Sequence, residues 1–229
     1  MQKTAVITGA NRGLGFGAAQ ALAAQGYQVF MLGRNPEQIA QAASQVPQAI
    51  GLAVDVAKTE QVKAAAKQIS QQIDHLDVLI NNAGVILERD HPNLTTADPE
   101  IMLATFNINT VGALRMTQAF MPLLEKSSAP RIVNVSSGMG GLTEMGAGYP
   151  AYRLSKTALN ALTTFTVAEV HNPKFKVNSV CPGWVRTAMG GSQADRSIEE
   201  AIPGILWAAQ LPEDGPTGGF FRDGQRLDW

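Results

Sequence analysis

The sequence predicts an α/β fold in which a doubly wound parallel sheet of about seven strands carries helices on both faces. Short runs rich in β-branched residues alternate with longer Ala- and Gln-rich segments of helical periodicity, a pattern typical of strand–helix–strand crossovers. Runs such as residues 78–80 are apolar without alternation, as expected for strands buried on both faces. A glycine-rich segment directly after the first apolar run adds a third indication, because such segments often join a strand to a helix.

Each predicted element is bounded by turn or cap signals. The strands are predicted at residues 4–8, 28–32, 49–54, 78–81, 131–136 and 176–181, with a last short strand near 219–221. Helices are expected at residues 13–25, 36–45, 60–72, 99–125, 152–171 and 198–210. Three helix starts follow N-cap residues, namely Asn35, Asp98 and Ser197, the last in a capping box with Glu200. The polar segment 88–98 is expected to form a loop.

Length and composition favour one domain over residues 1–229, since 45% hydrophobic composition can fill a single core. The 18 basic and 19 acidic residues nearly cancel, which argues against nucleic acid or an anionic membrane as a partner. The lone cysteine, Cys181, cannot form an intrachain disulfide and is expected to be a small buried hydrophobe. With no leader-like or membrane-spanning segment in the sequence, we expect a cytoplasmic protein.

The first glycine-rich segment, TGANRGLG at residues 8–15, has the character of a phosphate-binding turn. Its three glycines let the backbone turn sharply and approach a phosphate at a helix N-terminus. The spacing differs from G-x-G-x-x-G, and a tight strand-to-helix turn would account for it equally well. Asp55 after the third strand and NNAG at residues 81–84 after the fourth belong to the same edge of the sheet. Together these segments predict a dinucleotide site.

The end of the second strand indicates which dinucleotide is bound. An NAD site places a carboxylate there, and that carboxylate would repel the 2′-phosphate of NADP. This sequence has Leu32-Gly33-Arg34 instead, and Arg12 lies in the glycine-rich turn. Two guanidinium groups can bind one phosphate dianion, so the charges favour NADP(H). The alternative is a pair of ordinary surface arginines.

A candidate proton donor follows later in the chain. Tyr152 and Lys156 are four residues apart and therefore share one face of the predicted helix. A nearby ammonium is expected to lower the pKa of the tyrosine. Tyr-x-x-x-Lys also occurs by chance as a surface pair, but here it follows Ser136-Ser137 and a glycine-rich loop. That order favours a catalytic interpretation.

Taken together, these motifs resemble the single-domain short-chain dehydrogenase/reductase family over essentially the whole chain. The matching segments are TGANRGLG, Asp55, NNAG, Asn109 in NINTVG, Ser136-Ser137 in IVNVSS, YRLSK at 152–156 and PGWVRT at 182–187. The resemblance implies a Rossmann-type doubly wound sheet and an NADP(H)-dependent carbonyl reductase. A 3-oxoacyl thioester reductase of the same family is the main alternative, and a catalytically silent nucleotide-sensing module is another.

The resemblance also implies residue roles. Ser137 would hydrogen-bond the substrate carbonyl oxygen, Tyr152 would protonate it, and Lys156 would bind the nicotinamide ribose. Asn109 would support a water linking Lys156 to solvent, or else would be a helix-kinking residue satisfied by backbone. The residues expected to bind the cofactor are Gly9, Asn11, Arg12, Gly13, Leu14, Gly15, Arg34, Asp55, Val56, Asn82, Ala83, Gly84, Tyr152, Lys156, Pro182, Gly183, Val185 and Thr187.

Substrate residues are expected on the loops around the nicotinamide, where apolar side chains suit a hydrophobic carbonyl compound. The candidates are Leu87, Glu144, Met145, Tyr149, Trp184 and Met189, each of which could instead serve packing. About ten residues separate Thr187 from the last predicted helix, so the segment over the substrate is short and the site should be permissive.

Two other chemistries are not supported by the sequence. The three histidines have no metal-ligand spacing with one another or with Cys181, and are expected to be structural or solvent-facing; they are His75, His91 and His171. Ser136 and Ser137 do not lie in a G-x-S-x-G segment, which argues against a serine hydrolase.

The helices around residues 106–124 and 159–170 carry few charges. Only fourteen residues, 138–151, separate the catalytic serine from the tyrosine, too few for the long insertion that covers this helix face in monomeric carbonyl reductases resembling this chain. A helix that is apolar around much of its circumference is expected to be buried on more than one side. We therefore expect a homodimer or homotetramer, unless loops of the same chain cover that face.

Overall fold

The computed structural model describes residues 2–88 and 92–229. Its strands are β1 (Thr4–Thr8), β2 (Gln28–Gly33), β3 (Ile50–Ala53), β4 (Val78–Asn81), β5 (Arg131–Val135), β6 (Lys176–Val180), β7 (Phe220–Arg222) and β8 (Gln225–Leu227). They form one sheet in the order β3-β2-β1-β4-β5-β6-β7-β8. The first seven pair in parallel, and β8 is antiparallel to β7. The predicted fold class is confirmed.

The bounds of the seven predicted strands differ from those observed by at most one residue. Strand β8 was not predicted, because three exposed or half-exposed residues have no hydrophobic pattern. The Asp-Gly pair at 223–224, which is typical of hairpin turns, was nevertheless a local sequence signal. Asp223 and Gly224 both have positive φ, at 50° and 76°, and join β7 to β8 as a tight hairpin turn.

The helices are α1 (Gly13–Ala24), α2 (Pro36–Ala43), α3 (Thr59–Ser70), α4 (Pro99–Asn109), α5 (Val111–Leu124), α6 (Pro150–Glu169) and α7 (Ile198–Ala209). The cap predictions are confirmed. The Asn35 and Asp98 side chains accept hydrogen bonds from the first turns of α2 and α4. Ser197 and Glu200 form the capping box of α7. None of the helices within residues 2–88 and 92–229 is long and apolar enough to cross a membrane.

The prediction of one continuous helix over residues 99–125 is wrong. The helix breaks at Thr110, whose backbone leaves helical geometry with φ −111° and ψ −59°. The Thr110 hydroxyl donates a hydrogen bond of 2.8 Å to the carbonyl oxygen of Ser155 on α6. Contact with a neighbouring helix therefore ends α4, and no local sequence signal marks the break.

Helices cover both faces of the sheet. On one face, Ile7 and Ile80 pack in a core cluster with α1 and α7. On the other face, Val6 and Leu79 pack in a cluster with α3 and α5. Since both faces of the central strands are buried, polar side chains reach solvent only where these strands end. The candidate site lies at that edge.

Candidate active site

A cleft of about 1080 Å³ lies along the carboxyl ends of the central strands. Most of the residues proposed from the sequence contribute to its walls. They are Gly9, Asn11, Arg12, Gly13, Leu14, Arg34, Val56, Asn82, Ala83, Gly84, Ser137, Glu144, Tyr149, Tyr152, Lys156, Pro182, Gly183, Trp184, Val185, Thr187 and Met189. Segments far apart in the sequence thus meet in one cavity, which is the place where doubly wound sheets bind ligands.

Two proposed residues lie behind the cofactor end of the cleft instead of on its surface. Gly15 is buried beneath the turn, and a Cβ added to it would lie 2.5 Å from the Gly9 carbonyl oxygen. The Asp55 carboxylate accepts a hydrogen bond of 3.0 Å from the backbone N–H of Ala57. Both residues therefore shape turns, and Val56 lines the cleft beside Asp55.

Two proposed substrate residues are also absent from the walls. Leu87 is half-buried beside the cleft, and Met145 is 38% exposed on the segment before α6. The other four candidates, Glu144, Tyr149, Trp184 and Met189, do line the cavity.

The turns after β1 and β4 are joined by four hydrogen bonds. The buried Thr8 hydroxyl accepts from the backbone N–H groups of Asn82 (3.0 Å) and Ala83 (2.9 Å). In return, the Asn82 side-chain amide donates to the carbonyl oxygens of Thr8 (2.9 Å) and Gly9 (3.2 Å). These bonds hold the glycine-rich turn against the NNAG segment. Thr8 was not proposed from the sequence, although it opens the TGANRGLG motif.

The glycine-rich turn has the geometry of a phosphate cradle. Gly9 and Gly13 have φ of +64° and +59°, which residues with a side chain rarely adopt. A Cβ on Gly9 would lie 3.0 Å from the Ala83 Cα, so the two turns approach each other closely. Helix α1 begins at Gly13, and its free N–H groups favour an anion there.

The charges at this end also suit a phosphate. Arg12 and Arg34 are exposed, and both line the cleft. Neither guanidinium has a hydrogen bond or an ion pair with another residue of the described ranges 2–88 and 92–229. Two unpaired cations beside a helix N-terminus are what the 2′-phosphate of a dinucleotide requires. The residues present therefore fit an NADP-type cofactor.

At the other end of the cleft, three polar groups line the same part of the cavity. Ser137 follows β5, and its hydroxyl lies close enough to Tyr152, in the first turn of α6, to lower the pKa of the phenol. Tyr152 is 7% exposed and Lys156 only 4%. The Lys156 Nζ donates a hydrogen bond of 2.8 Å to the Val135 carbonyl oxygen. The helix thus presents both side chains to the end of β5.

Burial moves the two pKa values in opposite directions. It raises the pKa of Tyr152 to about 12, against the smaller lowering effect of the Ser137 hydroxyl. It lowers the pKa of Lys156 to about 8. The expectation of a lowered tyrosine pKa is wrong here, because burial of the phenol raises it. The phenol is therefore protonated at neutral pH.

Asn109 is buried, and its side chain is fully used by the protein. Its Oδ1 accepts from the Val85 N–H (2.8 Å), and its amide donates to the Val85 carbonyl (2.9 Å) and the Ser155 hydroxyl (3.0 Å). These bonds are consistent with the second role considered from the sequence, a polar residue satisfied by its neighbours, while the support of a water near Lys156 stays a prediction. A Cβ on Gly84 would lie 3.4 Å from both Asn109 Oδ1 and Lys156 Nζ, so both groups border that turn.

Two features of the site had no motif in the sequence. The Glu88 carboxylate accepts hydrogen bonds from the N–H groups of Ala151 (2.8 Å) and Tyr152 (2.9 Å) and caps α6. The Cys181 sulfur accepts from the Gly138 N–H (3.0 Å) and from Arg222 Nη2 (3.1 Å). Cys181 is buried as expected, and its sulfur also accepts hydrogen bonds.

The histidines agree with a structural role where they are described. His75 Nε2 lies 3.2 Å from the Asp77 carboxylate, away from the cleft, and His171 lies beyond the end of α6. His91 is outside the described residues. Within residues 2–88 and 92–229, no group of three or more His, Cys, Asp or Glu residues could hold a metal ion.

Comparison with known proteins gives consistent results. Residues 3–197 match the model of the short chain dehydrogenase family. A short-chain dehydrogenase of Penicillium roqueforti is 36% identical over 225 residues, covering 89% of this chain and 87% of its own.

Solved structures resemble the whole chain. The NADPH-bound carbonyl reductase from chicken fatty liver has a TM-score of 0.90 at 29% identity, with 100% of this chain and 99% of that one covered. The carbonyl reductase Sniffer of Drosophila melanogaster has a TM-score of 0.89 at 30% identity, with 100% of both chains covered.

The close contact between Gly140 and α6 yields a testable prediction. A Cβ on Gly140 would lie 2.7 Å from the Lys156 Cβ and 3.0 Å from the Thr157 backbone nitrogen, so Gly140→Ala should push the helix away. Overpacking of this kind costs about 1–3 kcal/mol. Urea unfolding should show that loss. Gly141→Ala is the matched control, since its Cβ would meet nothing nearer than 3.4 Å. Equal stability of the two variants would contradict the prediction.

Proposed function

The chain belongs to the short-chain dehydrogenase/reductase family of oxidoreductases, and we propose that it is an NADPH-dependent carbonyl reductase in which residues 1–229 act as one domain. The substrate is a ketone or aldehyde, which is reduced to the alcohol. The observation that carries this proposal is that Ser137 and the buried side chains of Tyr152 and Lys156 line the same part of the cleft.

The chemistry divides between the cofactor and the chain. NADPH supplies the hydride that reaches the carbonyl carbon. The Tyr152 hydroxyl donates its proton to the carbonyl oxygen, and its high pKa keeps that proton in place at neutral pH. Ser137 binds the same oxygen. Lys156 binds the nicotinamide ribose, while Asn109 positions α4 against α6.

Three positions support NADPH over NADH. Arg12 and Arg34 offer unpaired guanidinium groups at the adenine end, and Gly33 ends β2 where an NAD site would carry a carboxylate. The chicken carbonyl reductase, which resembles this chain over its full length, is NADPH-bound. The cofactor proposal therefore rests on charge at the site and on a structural relative.

The two alternatives can be separated from this proposal by one screen. NADPH oxidation is measured with aldehydes, aryl ketones, α-keto esters, quinones and acetoacetyl thioesters. Turnover of thioesters alone would identify a 3-oxoacyl thioester reductase. A nucleotide-sensing module would reduce none of them, and the presence of Ser137, Tyr152 and Lys156 in one cleft argues against it because a sensor needs no proton donor.

Replacing the proton donor tests the mechanism. Tyr152→Phe removes only the hydroxyl, so kcat for carbonyl reduction should fall about 10²–10⁴-fold while NADPH binding persists. Steady-state kinetics and a fluorescence titration with NADPH measure the two effects. Tyr27→Phe is the matched control, because Tyr27 is a buried tyrosine outside the cleft. A Tyr152→Phe enzyme that keeps more than about a tenth of the wild-type kcat would exclude this residue as general acid.

A second test concerns cofactor choice. Arg34→Ala removes a cation that meets only the 2′-phosphate, so KM should rise about 10- to 100-fold for NADPH and little for NADH. Arg226→Ala serves as a control, since Arg226 is exposed on β8 and does not line the cleft. A similar change in KM for both cofactors would refute the assignment.

We also propose that the chain assembles into an oligomer. The cytoplasmic location expected from the sequence likewise stays a proposal. Helices α4 and α6 pack side by side and expose Leu103 (63%), Phe165 (62%) and Leu154 (38%) to solvent. Apolar side chains on two adjacent helices suit a symmetric contact between copies of the chain. Light scattering at micromolar concentration should give a dimer or tetramer. A stable mass near that of one 24.3 kDa chain would contradict the proposed oligomer.

A further inference from the structure

Arg222 brings a guanidinium to the substrate end of the cleft. The residue ends β7 and lines the cavity together with Ser137 and Tyr152. Its Nη2 donates to the Cys181 sulfur, which also accepts from the Gly138 N–H. A Cβ on Gly138 would lie only 2.8 Å from Nη2. The cation therefore sits directly against the turn that carries the catalytic serine.

The hydrogen-bonding capacity of this guanidinium is largely unused. Its Nε is buried and has no hydrogen-bond partner among the residues that the structure describes, and a thiol sulfur is a weak acceptor for Nη2. A buried donor without an acceptor is costly, and in native proteins such groups call for an explanation. A ligand that accepts hydrogen bonds would use part of this capacity.

Within the described ranges, 2–88 and 92–229, no carboxylate forms a direct ion pair with Arg222. The Cys181 sulfur and, to a smaller extent, Asp223 and Glu144 are near enough to raise the pKa of its guanidinium. Its neighbour Asp223 forms an ion pair of 3.0 Å with Arg196 instead. Glu144 is exposed at the rim of the cleft and makes no ion pair with Arg222. With no direct ion pair to a described residue, the charge of Arg222 can attract an anionic group of a bound molecule.

The side chains that line the cleft around Arg222 indicate what kind of ligand would bind there. Met139, Tyr149, Trp184 and Met189 line the same end of the cleft and favour an apolar body. A guanidinium binds a carboxylate through two parallel N–H···O bonds, which its two terminal nitrogens can provide. The ligand that fits is an apolar molecule with one carboxylate.

We propose that Arg222 binds a carboxylate of the substrate, so that the preferred substrates are oxo acids with an apolar body and a carboxylate within a few bonds of the reducible carbonyl. This inference rests on the proposed carbonyl reductase function. Arg222 acts as a specificity residue, and the proton still comes from Tyr152.

The test compares acids with their own methyl esters. Two acids are used, phenylglyoxylate and 4-oxo-4-phenylbutanoate, and each is paired with its own methyl ester. Reduction of all four compounds is measured by NADPH oxidation. For at least one pair, kcat/KM of the wild type should favour the acid. In Arg222→Met the acid-to-ester ratio of kcat/KM should fall about 10- to 100-fold, the usual worth of a charge-assisted hydrogen bond. Arg226→Met, on the neighbouring strand and outside the cleft, should keep the wild-type ratio.

A purely structural role for Arg222 predicts a different result. If the arginine only holds Cys181 and the Gly138 turn in place, Arg222→Met lowers kcat/KM for acid and ester equally, and the unchanged ratio overturns the proposal. Failure of the proposed function is recognised separately, because then the wild type oxidises NADPH with neither acid nor ester nor any other carbonyl compound.

A binding measurement does not depend on turnover or on the folding of a variant. Benzoate should raise the Tm of the wild-type protein in the presence of NADPH at concentrations where benzamide has no effect, because only benzoate carries the charge. Arg222→Lys, which keeps the charge but not the planar fork, should show a smaller shift. Equal shifts with benzoate and benzamide would overturn the proposal even if Arg222→Met does not fold.

Discussion

The parallel pairing of β1 with β4, extended by the hydrogen bonds between Thr8 and Asn82, is the constraint on which the site depends. These strands are neighbours in the sheet although more than seventy residues separate them in the sequence. Their pairing brings the glycine-rich turn and the NNAG segment together. Because Asn82 donates to backbone oxygens of the β1 turn, the approach of the two turns is set by directional bonds and not by packing alone.

Helix α6 carries the second half of the site, and its first two turns are each fixed by a hydrogen-bonded contact. Glu88 accepts two N–H bonds at its first turn, where α6 would otherwise have unsatisfied donors. Lys156, one turn later, is bonded to the last residue of β5. Tyr152 is thus held between two fixed points. Burial of Tyr152 favours its neutral phenol, and burial of Lys156 disfavours its charged ammonium. Tyr152 therefore keeps a proton to donate, and Lys156 beside it can exchange protons near neutral pH.

Charge is distributed along the cleft in two places. Arg12 and Arg34 stand at the dinucleotide end, in solvent, where a phosphate dianion stays partly hydrated. Arg222 is half-buried at the substrate end, where removal of water strengthens each electrostatic interaction. Between them lie apolar walls and the serine–tyrosine–lysine group. An amphipathic substrate with one carboxylate matches this arrangement in both polarity and charge.

Much of the molecule was determined by local sequence patterns. Strand and helix positions follow from hydrophobic periodicity and caps, and the glycine-rich turn, Tyr152 and Lys156 follow from motifs within short segments, because each depends on residues that are neighbours in the chain. Tertiary structure alone decided the break at Thr110, the cap by Glu88, and the contact of Arg222 with Cys181. It also decided the tyrosine pKa, since burial, which sequence spacing does not reveal, raises that pKa. These features arise from groups brought together by folding across forty or more residues, and no short-range pattern encodes such contacts.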